Sequence, residues 1–109
     1  MFNEITKDIL EIAEAREPHL TPHDVLKHMA MEVVEATLAA ATETSWDTAC
    51  ELADVIICAI ITAGLLRVDL DKAFDHKMHI NAARAGITMP EARGATIVRP
   101  GSPMRQGDN

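Results

Sequence analysis

Hydrophobic positions along most of the chain recur every three or four residues, which is the period of an amphipathic α-helix and not of a β-strand. The period is broken near Pro18, around Thr44 and at Arg67, where turn-forming or helix-ending residues stand. The predicted helices are Glu4–Arg16, Pro22–Ala41, Trp46–Leu66 and Leu70–Ala85. We therefore expect an all-α fold, a helical bundle of about four helices.

Residues that favour helix ends stand at these predicted boundaries. The predicted N-caps are Asn3, Thr21, Thr44 or Ser45, and Asp69. Pro22 suits the first helical position after Thr21, and Gly86 suits the residue that follows the fourth helix. These signals place one all-α domain at residues 1–86.

The composition changes after residue 86. Prolines and glycines interrupt this segment at Pro90, Gly94, Pro100, Gly101, Pro103 and Gly107. We expect residues 87–109 to form an irregular C-terminal extension that ends in a flexible tail. Within it, Thr96–Val98 is predicted either to form a short strand or to pack on a partner.

The third predicted helix is apolar on nearly all sides between Val55 and Leu66. This run contains Thr62 and is shorter than the roughly 20 residues that a bilayer-spanning helix needs, so we expect no membrane association. A chain of 109 residues has only a modest core with which to cover such a helix. The pattern therefore predicts a homo-oligomer, a homodimer or a homotetramer, in which this helix contacts another copy.

Charge and cysteine content narrow the class of protein further. The net charge of −7 argues against general binding to a nucleic acid backbone. Cys50 and Cys58 lie about 12 Å apart along one predicted helix, too far for a disulfide bond. We expect both to be small core residues of a reduced, cytoplasmic protein, since the N-terminal stretch lacks the apolar region of a signal peptide.

Two pairs of acids carry the candidate chemistry. Glu32 and Glu35 lie on the second predicted helix, and Glu51 and Asp54 on the third, each pair three residues apart and so on one helical face. If the two helices are antiparallel, the pairs face each other and repel by roughly 3 kcal/mol per pair of charges at about 6 Å. Oxygen ligands in this number suit Mg²⁺ or Mn²⁺, and the apolar neighbours of these acids favour a metal site over a solvated surface.

His28 and Trp46 each have two interpretations. His28 precedes Glu32 by one turn, and a surface or hydrogen-bonded histidine is favoured over a metal or phosphate contact. Trp46 begins the third helix, and packing in a core or interface is favoured over stacking on a nucleobase. Lys77, Asn81 and Arg84 form one polar stripe on the fourth helix.

The ordered set of motifs resembles the MazG-like all-α nucleoside triphosphate pyrophosphohydrolases. The motifs read Glu32-Val-Val-Glu35, Glu51-Leu-Ala-Asp54 and Lys77-Met-His-Ile-Asn81, and the resemblance covers roughly Val25 to Arg84. It implies a bundle that dimerises or forms a dimer of dimers. It further implies that the four acids bind Mg²⁺ and are the catalytic residues, while Lys77 and Asn81, together with Arg84, contact the phosphates.

The activity implied by this resemblance is hydrolysis of a ribo- or deoxyribonucleoside triphosphate to the monophosphate and pyrophosphate, with nucleotide-pool housecleaning as one expected role. The chain offers no protein nucleophile in a suitable setting, so the expected nucleophile is a metal-activated water. One departure is Met31, which stands where the family usually has a glutamate.

Three other functions compete with this interpretation. One is a catalytically weak nucleotide-binding or dimerisation module of the same fold, and another is a phosphoribosyl-ATP pyrophosphohydrolase. A carboxylate di-iron bundle is disfavoured because no acid in the chain has a histidine three residues later.

Overall fold

The computed structural model describes residues 1–89 and contains four α-helices and no β-strand within that range. The helices are α1 (Asn3–Arg16), α2 (Pro22–Thr42), α3 (Ser45–Leu66) and α4 (Leu70–Arg84). The all-α prediction is confirmed, and each predicted helix end lies within one residue of the observed end. The strand expected at Thr96–Val98 and the expected C-terminal tail lie outside the described residues.

The chain divides into two compact units. The first, which we call the hairpin unit, runs from Glu4 to Val68 and holds most of α1 with all of α2 and α3. The second, the terminal unit, joins Met1–Asn3 to the chain from Asp69 onward and holds α4. Extensive contacts between α2 and α3 make these two helices the structural centre of the hairpin unit.

Side-chain caps begin both helices of the hairpin. The Thr21 hydroxyl accepts a hydrogen bond from the Asp24 amide at 3.2 Å, and Pro22 occupies the first turn of α2. At α3, Thr44 Oγ1 accepts from the Asp47 amide at 3.1 Å, and the Asp47 carboxylate accepts from the Thr44 amide at 3.3 Å. Thr44 is therefore the cap, Ser45 already belongs to α3, and only two residues connect the helices.

Small side chains fill much of the hairpin core. The buried apolar residues of this unit are Ala13, Val25, Ala36, Ala39, Cys58, Ile60 and Ala63. At Gly64 of α3, a Cβ atom would lie only 2.7 Å from Leu10 Cδ1 and 2.9 Å from Thr6 Cγ2. The absence of a side chain at Gly64 thus lets α1 approach α3 closely.

The start of α1 is capped differently from the sequence expectation. Asn3 is already helical, and Asp71 accepts from the Phe2 amide at 2.6 Å and from the Met1 amino group at 2.8 Å. Burial alone would raise the pKa of Asp71, but the Met1 amino group and the Phe2 and Asn3 amides hold it below its ordinary value. Asn3 instead donates through its side chain to Asp69, the N-cap of α4, at 2.8 Å.

Much of the apolar surface of α3 is not covered within the described chain. Leu52, Ile56 and Leu66 are each about half exposed. By length and composition alone, α3 could also cross a membrane, with a mean hydropathy of 2.1 over 18 residues, 28% of which are buried. One such helix is a weak indication, since core helices of soluble proteins have the same composition.

The two cysteines lie in different surroundings. Cys58 is buried, as expected for a small core residue, whereas Cys50 is exposed, so the expectation of a core position for Cys50 was wrong. The pattern misassigned Cys50 because Cys50 lies on a side of α3 that no described residue covers, whereas the next residue, Glu51, is half-buried. Both thiols are free.

Candidate metal centre

Three of the four predicted acids meet where α2 packs against α3. Glu32, Glu35 and Glu51 each offer a carboxylate oxygen, and these oxygens lie within 4.8 Å of one another. The spacing of three residues puts Glu32 and Glu35 one turn apart on α2, and the short connection returns α3 beside them. We call these three side chains the acid group.

The acid group reaches from the interior of the hairpin unit to its surface. Glu32 is only 8% exposed, Glu51 is half-buried and Glu35 is exposed. The Oε2 atoms of Glu32 and Glu51 are both shielded from solvent and have no hydrogen-bond partner. Buried polar atoms are nearly always hydrogen-bonded in folded proteins, so two unpartnered carboxylate oxygens in one group need a physical explanation.

Burial and the crowding of like charges raise the pKa of Glu51. Burial is the largest cause that raises the pKa of this carboxyl above its ordinary value. The negative charges of Glu35, Glu32 and Asp54 raise it further, and so does a hydrogen bond with Glu35. Without a metal ion, Glu51 therefore keeps its proton to a higher pH than an ordinary glutamate, and a cation at the same place would relieve the same repulsion.

Asp54 lies at the margin of this arrangement. It is exposed, one turn beyond Glu51 on α3, and is not among the three side chains whose oxygens meet within 4.8 Å. Its charge nevertheless raises the pKa of Glu51. The structure thus brings three of the predicted ligands together and keeps the fourth nearby.

His28 contacts the acid group directly. Its Nε2 atom lies 3.0 Å from Glu32 Oε1, one turn along α2, with side-chain exposures of 63% for His28 and 11% for Glu32. The 63% exposure of His28 agrees with the favoured sequence interpretation, a surface histidine, and its contact with Glu32 is at ion-pair distance. Among residues 1–89, no lysine or arginine forms an ion pair with the acid group.

The remaining predicted substrate contacts are all exposed. Trp46 is 75% exposed in the first turn of α3, so within the described chain it does not pack in a core. Lys77, Asn81 and Arg84 are exposed on α4, in the terminal unit. Their polar stripe is available for contacts with a ligand or another chain.

The sequence analysis missed the electrostatic link between the acids and Cys58. Burial raises the pKa of the Cys58 thiol, and the charges of Glu32 and Asp54 raise it further. The sequence does indicate this link, because Glu51, Asp54 and Cys58 follow the i, i+3, i+7 pattern of one helical face. This thiol therefore lies beside the acids as an unreactive neighbour.

Comparison of the chain with protein-family models, with curated proteins and with solved structures gave no match. The chemistry of the site is accordingly argued from its own residues. Carboxylate oxygens are the donors that hard divalent cations prefer, and the acid group supplies three of them.

Proposed function

We propose that this chain is a metal-dependent nucleoside triphosphate pyrophosphohydrolase, which releases the nucleoside monophosphate and pyrophosphate. The observation that carries the proposal is the pair of buried, unpartnered oxygens, Glu32 Oε2 and Glu51 Oε2, within a group of three carboxylates. The order of the acidic, lysine and asparagine motifs, which resembles the MazG-like family, supports the choice of substrate and products.

The donor set fits Mg²⁺ or Mn²⁺. Oxygens around an octahedral Mg²⁺ lie about 3 to 4 Å apart, so carboxylate oxygens within 4.8 Å of one another need only small side-chain rotations to bind one ion. Glu32, Glu35 and Glu51 are the proposed ligands in this group, with Asp54 as the fourth acid. Three carboxylates leave other coordination positions for water and phosphate oxygens.

When bound, the metal ion supplies neutralisation of phosphate charge and a lowered pKa for a bound water. The acids of the chain hold and orient that ion. The exposed side chains of Lys77, Asn81 and Arg84 are proposed to donate to phosphate oxygens. Because Cys58 is buried and its thiol pKa is raised, water and not this thiol is the proposed nucleophile.

We further propose that the protein works as a homo-oligomer, either a dimer or a tetramer. The support is the exposed apolar side of α3, where Leu52 is 51% and Ile56 is 50% exposed. Contiguous exposed apolar surface of this kind marks an interaction site more often than free surface. A cytoplasmic location and a role in clearing the nucleotide pool belong to the same proposal.

A substrate screen tests the proposed activity. Ribo- and deoxyribonucleoside triphosphates are incubated with the protein and Mg²⁺ or Mn²⁺, and pyrophosphate and orthophosphate are measured separately. We expect pyrophosphate release that stops when a chelator is added. In ¹⁸O-labelled water, the label is expected in the nucleoside monophosphate and not in pyrophosphate.

The outcomes separate the alternatives. Metal-dependent nucleotide binding without turnover would identify a binding module, and turnover confined to phosphoribosyl-ATP would identify that relative of the fold. Release of orthophosphate, or label in pyrophosphate, would contradict attack at the α-phosphorus.

A further inference from the structure

The two oxygens of the Glu32 carboxylate have different surroundings, because His28 contacts only one of them. Oε1 lies 3.0 Å from His28 Nε2, while Oε2 is buried without a partner. A glutamate side chain has three rotatable bonds and can turn either oxygen toward a cation. The 3.0 Å contact with the imidazole favours the rotamers that keep Oε1 on the side from which His28 approaches.

We propose that His28 is a positioning residue for the metal site, which orients Glu32 so that a single oxygen, Oε2, faces the cation. The inference rests on the proposed function in that it needs a metal ion at the acid group. It does not depend on which nucleotide is hydrolysed. It changes the role of His28 from a contact with substrate or metal to a contact that acts through Glu32.

The burial of the two partners supports this role. An exposed histidine–carboxylate pair one turn apart on a helix contributes little by itself, because water competes for both groups. Here the Glu32 side chain is only 11% exposed, so water screens its charge less than that of a surface carboxylate, and its attraction to His28 is correspondingly stronger. The Oε2 atom of Glu32 is buried and has no hydrogen-bond partner, so it is the oxygen left to face a cation.

A neutral donor in the place of the imidazole should suffice. Glutamine at position 28 keeps an N–H donor on the same face of α2, and helical Gln–acid pairs at this spacing form hydrogen bonds. Alanine at the same position removes the donor. The comparison of His28→Gln with His28→Ala therefore separates hydrogen bonding from any general effect of altering the helix surface.

The test is Mn²⁺ binding to the full chain without nucleotide, measured by the electron paramagnetic resonance signal of free Mn²⁺ in one buffer at one pH. Loss of such outer partners typically weakens metal binding about 10- to 100-fold, which is the change expected for His28→Ala. His28→Gln is expected to lose less than the roughly tenfold that marks the loss of an outer partner. The matched control is His23→Ala, an exposed histidine in the first turn of α2, which should leave Mn²⁺ affinity unchanged.

Each outcome either supports or contradicts the positioning role of His28. Equal Mn²⁺ affinity of His28→Ala and the unmodified chain would overturn the positioning role and leave the metal site intact. Equal weakening by alanine and glutamine would also overturn it, since a donor would then have no effect. Absence of Mn²⁺ binding to the unmodified chain would overturn this inference, while pyrophosphate release in the substrate screen tests the proposed function separately.

Discussion

Glu51 on α3 lies against Glu35 on α2, with carboxylate oxygens of the two residues within 4.8 Å of each other although 15 residues separate them in the chain. Two like charges at this range stabilise neither helix. Their proximity makes the stability of the metal-free protein depend on the charge of these residues and on pH. A bound divalent cation should reverse the destabilisation.

Removing the charge of one acid should weaken metal binding and turnover. We expect Glu32→Gln, Glu35→Gln and Glu51→Gln each to lower Mn²⁺ affinity and pyrophosphate release on the order of 100-fold, because each removes one charged ligand. Asp54→Asn decides whether the site has three or four acidic ligands. Calorimetric titration with Mn²⁺ and a pyrophosphate assay measure these effects.

The matched control for these variants is Glu14→Gln, which removes an exposed carboxylate from α1. It should leave both Mn²⁺ affinity and turnover unchanged. Full turnover in any two of the four acid variants would contradict the ligand assignment.

The pH dependence of stability should reveal the raised pKa of Glu51. A carboxyl with a raised pKa favours the folded state while it is protonated, below its ordinary value of 4.5, and this contribution is lost as the pH rises through the raised pKa. Glu51→Gln cannot lose a proton. We therefore expect the metal-free variant to gain free energy of unfolding over the unmodified chain as the pH increases.

Urea unfolding with a chelator, at about pH 4 and about pH 7, measures this difference and cancels the contributions of the carboxylates that lie far from Glu51. Saturating Mg²⁺ at the higher pH should reverse the order, since only the unmodified chain keeps all the ligands. A difference that shrinks with rising pH would be inconsistent with the crowding of charge at Glu51.

The two thiols should react at different rates. Cys50 is exposed, whereas Cys58 is buried and its raised pKa leaves little thiolate near neutral pH. We expect Cys50→Ser, which keeps only Cys58, to react with a disulfide reagent at least about tenfold more slowly than Cys58→Ser. In urea the two variants should react alike, and equal rates in the folded state would contradict the burial of Cys58.

Substitutions at an exposed and at a buried position of α3 should separate assembly from folding. Ile56 is 50% exposed, so Ile56→Asp is expected to dissociate the oligomer and retain helical circular dichroism. Ile60 is only 1% exposed, and Ile60→Asp would bury an unpaired charge, which a domain with about 5–15 kcal/mol of total stability is not expected to survive. Sedimentation velocity reports the assembly.

Ile12→Asp on α1, at a residue 64% exposed, is the control and should not change the sedimentation coefficient. A compact, active monomer of the unmodified chain at micromolar concentration would rule out the oligomer. Recovery of the chain in the membrane fraction would indicate that lipid, and not another copy of the chain, contacts the apolar side of α3.

The sequence predicted well those features that depend on neighbouring residues. The capping residues Thr21 and Asp69, the helical period and the turn before Ser45 are local, so the helix ends followed from them. The meeting of Glu32, Glu35 and Glu51 also followed, because a short connection forces two helices to pack side by side.

Features that depend on distant parts of the chain were not predictable in this way. Asp71 caps the start of α1 from about 70 residues away, and no pattern near Asn3 indicates it. Likewise, the exposure of Glu35, Asp54 and Cys50 depends on which side of each helix is covered by others. Apolar neighbours in the sequence do not specify that side.

The two-residue connection between α2 and α3 has a consequence for the folding kinetics. Since the acids that meet are close in sequence, they should come together as soon as the hairpin forms, and local contacts of this kind form early. Their repulsion would then already raise the free energy of the folding transition state. A divalent cation bound there should accelerate refolding in stopped-flow experiments more than it slows unfolding.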